Sequence, residues 1–311
     1  MYVLGLDTSN YTTSAAIFDG LMGKNVSRLL DVKAGQLGLR QSEALFQHVK
    51  RLPEILEKLT GERTRDIEAV GASTRPRAVE GSYMPCFLAG ESQGRGLASI
   101  LGVPFFPHSH QQGHLAAAAW SAKQINLLDN PFLAWHLSGG TTELLLVKPE
   151  GSTIAADIIG GTSDLSAGQL IDRTGVLLGF PFPAGKALDE LYSQADACYE
   201  PRIKLNGLTF SLSGMENQVK ALAEEGERTA NIARFALDAI FNVVVRATQE
   251  AQRQYPGLPV LCSGGVASNS QLQSWLSNSF GAIFAQPEFS TDNAMGTAIL
   301  TWRALKAGTK S

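Results

Sequence analysis

The chain reads as an α/β protein made of two duplicated domains. Three loops of small and hydroxyl residues, each fed by an apolar strand, carry that expectation. The first follows Tyr2 to Asp7, an apolar run closing on an acid; Thr8-Ser9-Asn10 reads as a turn and Thr12 to Phe18 as the returning strand. The same design recurs about 130 residues later, a spacing suited to two repeated units. There Phe132 to Leu137 runs into Ser138-Gly139-Gly140-Thr141-Thr142 and Glu143 to Val147 returns. The third loop, Ser263 to Asn269, joins the strand Pro259 to Cys262 to a helix.

Glycine lacks a Cβ, so backbone N–H groups in such loops can approach phosphate oxygens and form an anion-binding nest. A single Ser-Gly-Gly is usually just a turn. The ordered set of hairpin, hairpin and strand–loop–helix is more specific. It matches the actin-like ATPase (ASKHA) architecture, two ribonuclease-H-like domains with a nucleotide in the cleft between them.

The intervening elements fit this plan. Gln41 to Leu59 places Leu45, Val49, Leu52, Ile55 and Leu56 at helical spacing, with Pro53 marking a break or a fresh first turn. Ile67 to Ala72 reads as a short strand, Phe87 to Leu101 as a helix, and Val103 to Phe106 as the strand that delivers a histidine-rich segment. Ala230 to Tyr255 and Asn293 to Leu305 read as helices. The expected division is an N-terminal domain over 1–126, with 293–311 packing back on it, and a C-terminal domain over 127–292.

Composition is that of a soluble globular protein, with 44% hydrophobic and 18% charged residues over 311 positions. Asp7 interrupts any signal-peptide core and no apolar run reaches the ~20 residues of a membrane span, so a cytoplasmic protein without a membrane partner is expected. Cys86, Cys198 and Cys262 are odd in number and scattered, which suits reduced thiols. A net charge of −3 does not advertise nucleic-acid binding. Lys50, Arg51, Arg63, Arg65, Arg75 and Arg77 are nevertheless candidates for a local basic face.

The strongest chemical signal is His110 and His114. If the Ala-rich run after them extends back as a helix, the i,i+4 spacing stacks both imidazoles on one face, where one metal ion can take both. Packing under a helix end is the alternative use of such a pair. Zinc peptidases need a Glu directly after the first His as general base; here Gln111 stands there and cannot take a proton, which disfavours peptidase chemistry.

The motifs in register are Val3-Leu-Gly-Leu-Asp-Thr-Ser9, His110-Gln-Gln-Gly-His114-Leu, Leu137-Ser-Gly-Gly-Thr-Thr-Glu-Leu144 and Ala167-Gly168, then Ile171-Asp172-Arg173 and Leu177-Leu-Gly-Phe-Pro-Phe-Pro-Ala-Gly185. Phe210-Ser-Leu-Ser-Gly214, Gly264-Gly-Val-Ala-Ser-Asn269 and Ser290-Thr-Asp-Asn-Ala294 complete the set. With these the chain resembles, over nearly its full length, the TsaD/Gcp glycoprotease-like family of tRNA threonylcarbamoyladenosine transferases.

The resemblance implies a divalent metal, Fe2+ or Zn2+, held by His110, His114 and Asp292 against the phosphate or carbamoyl end of an adenylate. It implies ATP or threonylcarbamoyl-adenylate at His136, Leu137, Ser138, Gly139 and Gly140, with Asp172 and Gly185 near the ribose and Asn269 near the nucleoside. Mg2+ is a further candidate ion. Without the resemblance, Asp172 reads as a helix-surface acid and Asp292 as the N-cap of the last helix. The implied partners are tRNA, an actin-like paralogue and a small ATPase, with a homodimer as another assembly.

Three departures bear on activity. Tyr11 and Thr12 replace an acidic pair, Thr141 replaces a His, and Asp164-Leu165-Ser166 stands where two adjacent acids are expected. Lost carboxylates remove candidate bases for an amine nucleophile, so no catalytic residue is assigned. The expected reaction is metal-dependent transfer of threonylcarbamoyl to the N6 amine of the tRNA adenosine next to the anticodon. The alternatives are a catalytically altered nucleotide-binding paralogue acting as regulator or scaffold, and an actin-like-fold small-molecule kinase.

Overall fold

The computed structural model describes residues 1–9, 11–32, 39–60 and 66–308; Asn10 of the first loop, and Arg63 and Arg65 of the expected basic face, lie outside them. In the first sheet β1 (Tyr2–Thr8) and β2 (Thr12–Phe18) are antiparallel, with Asp7 opposite Ser14 and Thr8 opposite Thr13. Adding β3 (Gly23–Leu29), β4 (Ile67–Arg75) and β5 (Phe105–Ser109) gives the order β3-β2-β1-β4-β5. β4 runs parallel to β1, and β5 parallel to β4. Every residue of β2 is buried, as a strand covered on both faces requires.

Three helices lie between or after these strands: α1 (Gln41–Thr60), α2 (Phe87–Leu101) and α3 (His110–Ser121). Pro53 does not break α1, which runs through it. Its ring faces solvent while Leu52, Ile55 and Leu59 are buried, and that apolar face outweighs a proline penalty of about 3 kcal/mol. β4 and β5 each end three residues later than the apolar runs suggest. β5 tolerates Pro107 because it is an edge strand, with one side free of ladder bonds.

The second sheet repeats the design. β6 (Phe132–Leu137) pairs antiparallel with β7 (Thr142–Glu150), and β8 (Thr153–Thr162) and β9 (Thr209–Phe210) extend that side. On the other side β10 (Val260–Ser263) runs parallel to β6, followed by β11 (Ile283–Phe284). Thus β1 and β6 each sit between an antiparallel hairpin partner and a parallel crossover strand. The helices are α4 (Ala167–Leu177), α5 (Gly185–Tyr192), α6 (Ser213–Glu224), α7 (Thr229–Gln254) and α8 (Ser270–Phe280). The core of this half packs Trp135, Phe241, Ile240 and Val244 of β6 and α7 with Leu170, Leu188 and Leu272.

The last helix, α9 (Met295–Gly308), packs on β1, β2 and β4. The chain forms two compact units: 1–130 with 148–156 and 288–311, and 131–147 with 157–287. The excursion 148–156 is the outer end of the β7–β8 hairpin, for which the linear sequence carried no signal. Among the described residues, no helix is long and apolar enough to cross a membrane.

Of the residues proposed for a basic face, Arg51 is withdrawn from the surface. Arg51 is buried and bonded to the Leu29 carbonyl and the Asp31 carboxylate, so its charge is matched in place. The three cysteines are free. Cys86 and Cys262 are buried and burial raises both thiols, Cys86 to about 11, which leaves them poor nucleophiles.

Candidate metal centre and nucleotide pocket

α3 begins at His110 because Ser109 caps it. The Ser109 hydroxyl accepts from the Gln112 N–H at 3.2 Å, and the Gln112 side-chain oxygen accepts from the Ser109 N–H at 2.9 Å. The Gln112 amide also donates to the Ile154 carbonyl at 2.6 Å, tying this turn to the β8 start. His110 is therefore in the first turn and His114 one turn later on the same face.

Asp292 reaches them because α9 meets α3 backbone to backbone at Gly296 and Gly113. A Cβ built on Gly296 would stand 1.7 Å from the Gly113 carbonyl oxygen. The resulting approach leaves His114 Nε2 2.9 Å from His110 Nε2 and 3.2 Å from Asp292 Oδ1, with His110 Nε2 3.5 Å from the same oxygen. Asp292 is not the cap of α9: the Met295 N–H is accepted by Asn293 Oδ1 at 3.0 Å, and the Asp292 carboxylate turns to the imidazoles instead.

A residue not assigned to the site from sequence lies behind the pair. Asp7, at the end of β1 and 1% exposed, accepts from His110 Nδ1 through Oδ2 at 2.8 Å and from the Ser9 N–H through Oδ1 at 3.0 Å. With Nδ1 donating to Asp7, Nε2 is the ring nitrogen presented to His114 and Asp292. Carboxylate–histidine pairs of this kind orient metal-binding imidazoles. The only sequence signal for Asp7 was an acid at the end of an otherwise apolar strand.

The charges are matched to a cation. Burial alone would lower His110, but the Asp7 charge, with bonds to Asp292 and Asp7, raises it to about 10. Burial would raise Asp7 and Asp292, yet His110 lowers Asp7, and His110 with His114 holds Asp292 well below the carboxylate range. The His110 ring thus lies between two carboxylates, Asp7 at Nδ1 and Asp292 at Nε2. One donor atom from each of His110, His114 and Asp292 lies within 4.8 Å of the others. Donors around an ion bound at 2.0–2.2 Å stand about 3 to 3.5 Å apart, so the set fits one divalent ion, with the N/N/O chemistry of Zn2+ or Fe2+.

In the second unit, Ser138 and Thr141 close a tight turn: the Ser138 N–H donates to the Thr141 carbonyl at 2.8 Å, and the Thr141 N–H to the Ser138 hydroxyl at 3.1 Å. Gly139 and Gly140 stand exposed at its tip. His136 and Leu137 lie on β6, half-buried and buried respectively, with His136 in register with Ser263 of β10. α4 starts against this turn, where a Cβ on Gly168 would stand 2.4 Å from Gly139 Cα and 2.6 Å from the Ser138 oxygen.

A cavity of about 520 Å³ collects Gly139, Asp172, Gly185 and Asn269 with Phe182 and Asp189. Asp172 Oδ1 accepts from the Ala184 N–H at 2.9 Å, which ties α4 to the start of α5. Asn269 caps α8, its Oδ1 accepting from the Gln271 and Leu272 N–H groups at 3.0 Å, while its Nδ2–H donates to Asp189 Oδ1 at 2.6 Å. Asp189 was not singled out from sequence, where it looks like any acid on a short amphipathic helix. His136, Ser138 and Gly140 do not line this cavity, whose size is that of small-molecule and cofactor sites.

Asp164, where adjacent acids were expected, is a poor base. Burial raises its pKa, but the Ser211 and Ser213 hydroxyls and the Leu212 and Leu165 N–H groups hold it far below the ordinary range. At the first hairpin Tyr11 is exposed and Thr12 buried, so that tip offers no carboxylate of its own beyond Asp7.

Solved structures share the fold. Component A of (R)-2-hydroxyglutaryl-CoA dehydratase from Acidaminococcus fermentans matches over 99% of both chains, at 17% identity and a TM-score of 0.55. A ROK hexokinase from Thermus thermophilus matches over 98% of this chain and 99% of its own, at 16% and 0.54. HypF from T. kodakarensis matches over 98% of this chain and 48% of its own, at 14% and 0.61. At these identities the likeness is one of fold, and that fold is the actin-like ATPase (ASKHA) fold. The sequence model of the tRNA N6-adenosine threonylcarbamoyltransferases matches residues 29–299, a stretch that includes His110, His114, Asp172, Gly185, Asn269 and Asp292. The chain belongs to this family, TsaD.

Proposed function

We propose that this protein transfers threonylcarbamoyl from threonylcarbamoyl-adenylate to the N6 amine of the tRNA adenosine next to the anticodon. The observation that carries the reading is the His110–His114–Asp292 cluster with Asp7 behind it, in a chain of this family. In the reaction the amine nitrogen forms a bond to the carbamoyl carbon, and the bond from that carbon to the phosphate oxygen breaks. AMP leaves with the electron pair and the amine gives up one proton.

His110, His114 and Asp292 would hold the divalent ion, and the ion, when bound, supplies Lewis acidity toward a phosphate or carbamoyl oxygen. Asp7 keeps the His110 ring oriented and its Nε2 available. The exposed amides of Gly139 and Gly140 suit phosphate oxygens, and the Asp172 and Asp189 carboxylates suit ribose hydroxyls. As partners we propose tRNA, an actin-like paralogue and a small ATPase, with a homodimer as another assembly.

A second reading, a nucleotide-binding regulator or scaffold without transfer, is favoured by Tyr11, Thr12 and Thr141 and by the saturated Asp164 carboxylate. One assay separates the two. The protein is incubated with carbonate, threonine, ATP, the adenylate-forming partner and unmodified tRNA, and the digested tRNA is examined by mass spectrometry. Threonylcarbamoyladenosine is expected; its absence under conditions where another family member forms it would overturn the transfer reading and leave the second.

A further inference from the structure

Phe182 is 75% exposed, an unusual position for a large aromatic ring in a folded unit. It borders the cavity that holds Gly139, Asp172, Gly185, Asp189 and Asn269, and also a second, more apolar hollow with Val176 and Leu177. Pro181 and Pro183 flank it, and two locked φ angles keep the loop stiff. A ring held out on a stiff loop loses little conformational freedom when something planar covers it.

We infer that Phe182 is the base-stacking residue of this pocket and sets its preference for a purine. The inference rests on the nucleotide reading of the cavity. Polar groups there suit the other parts of a nucleotide: the Asp172 and Asp189 carboxylates accept hydroxyl hydrogens, and the Lys186 ammonium and the exposed Gly139 amide donate to an anion. Ile171, Pro183, Leu237 and Val266 add apolar surface, but among the residues lining the cavity Phe182 alone is aromatic. It stands at the rim, and its flat ring recovers contact with a stacked base that water cannot provide. A purine covers more of the ring than a pyrimidine, so the ring favours ATP over CTP.

The test is calorimetric titration of the full-length protein with ATP and with CTP, for the native chain and for Phe182→Ala, Phe182→Leu and Phe182→Trp. Phe182→Ala and Phe182→Leu should weaken ATP by roughly 5- to 150-fold, the span for loss of one base–aromatic stack, and should weaken CTP less. Phe182→Trp should restore affinity and gain tryptophan quenching that depends on ATP. Because the ring is exposed, these variants should keep the native thermal midpoint. ATP binding equal to native in Phe182→Ala would overturn the inference and leave the nucleotide site standing. Native-like binding in Phe182→Leu with loss in Phe182→Ala would also overturn it, since apolar area without a π face would then suffice. A native chain that binds neither nucleotide would overturn the nucleotide reading itself.

Discussion

Gly296 meets Gly113 with no room for a side chain: a Cβ on Gly296 would stand 1.7 Å from the Gly113 carbonyl oxygen. This contact lets Asp292, just before α9, reach two histidines on α3. Gly296→Ala must therefore push the helices apart or distort one of them. We expect a loss of about 1–3 kcal/mol on thermal unfolding, the usual range for overpacking, together with weaker metal retention. Gly96→Ala is the control, because nothing lies within 4 Å of its built Cβ and an exposed helical Gly→Ala change gains up to about 1 kcal/mol. Equal melting of Gly296→Ala and native protein would refute the account of the crossing.

Removing one donor should abolish tight metal binding. His110→Ala, His114→Ala and Asp292→Ala are each expected to emerge from metal-loaded growth and dialysis with well under one ion per chain by elemental analysis. Asp7→Asn keeps all three donors but loses the carboxylate behind His110. It should bind one ion with about 10- to 100-fold lower affinity, the effect usual for such supporting partners. Full retention after dialysis in His114→Ala would exclude this site as the metal centre.

Stability of the metal-free protein should depend on pH through His110. Its folded pKa of about 10 lies above the ordinary 6.5, so the proton stabilises the fold fully below pH 6.5 and the contribution is lost as pH rises through 10. Asp7 and Asp292 are lowered, so their contribution is present above the ordinary carboxylate pKa of 3.8 and is lost as pH falls through their folded values. The melting temperature of the metal-free chain should therefore decline between pH 7 and 10, and His110→Ala should flatten that slope. A slope unchanged in His110→Ala would assign it to other groups.

The two acids of the proposed nucleotide pocket should act apart from the metal. Asp189→Ala removes the acceptor for Asn269 Nδ2–H and one candidate partner of the ribose. Lower ATP affinity with unchanged metal stoichiometry is the expected pair of results. Asp172→Ala should lower ATP affinity too, and also the melting temperature, because it removes the Oδ1 that accepts from the Ala184 N–H at the start of α5. Loss of metal in either variant would contradict two separate sites.

The α/β class, the repeated hairpins and the His110–His114 pair were legible in the sequence because each is a local pattern: apolar runs, small-residue loops and an i,i+4 spacing. Helix ends were less so. Pro53 suggested a break that the buried face of α1 overrides, and Asp292 resembled a cap that Asn293 supplies instead. Propensity acts locally, and packing across the fold can outweigh it.

What the sequence determined by itself was the family, the repeated strand–loop units and the residue types able to hold a cation. The tertiary structure alone decided that Asp7, 103 positions from His110, stands behind its ring, that Asp189 bonds Asn269, and that Phe182 faces outward at a cavity rim. These relationships have no local signature. The Asp7–His110 pair depends on the parallel placement of β1, β4 and β5, and the Asp189–Asn269 bond joins α5 to the N-cap of α8; in each, the distance between residues remote in sequence is set by packing.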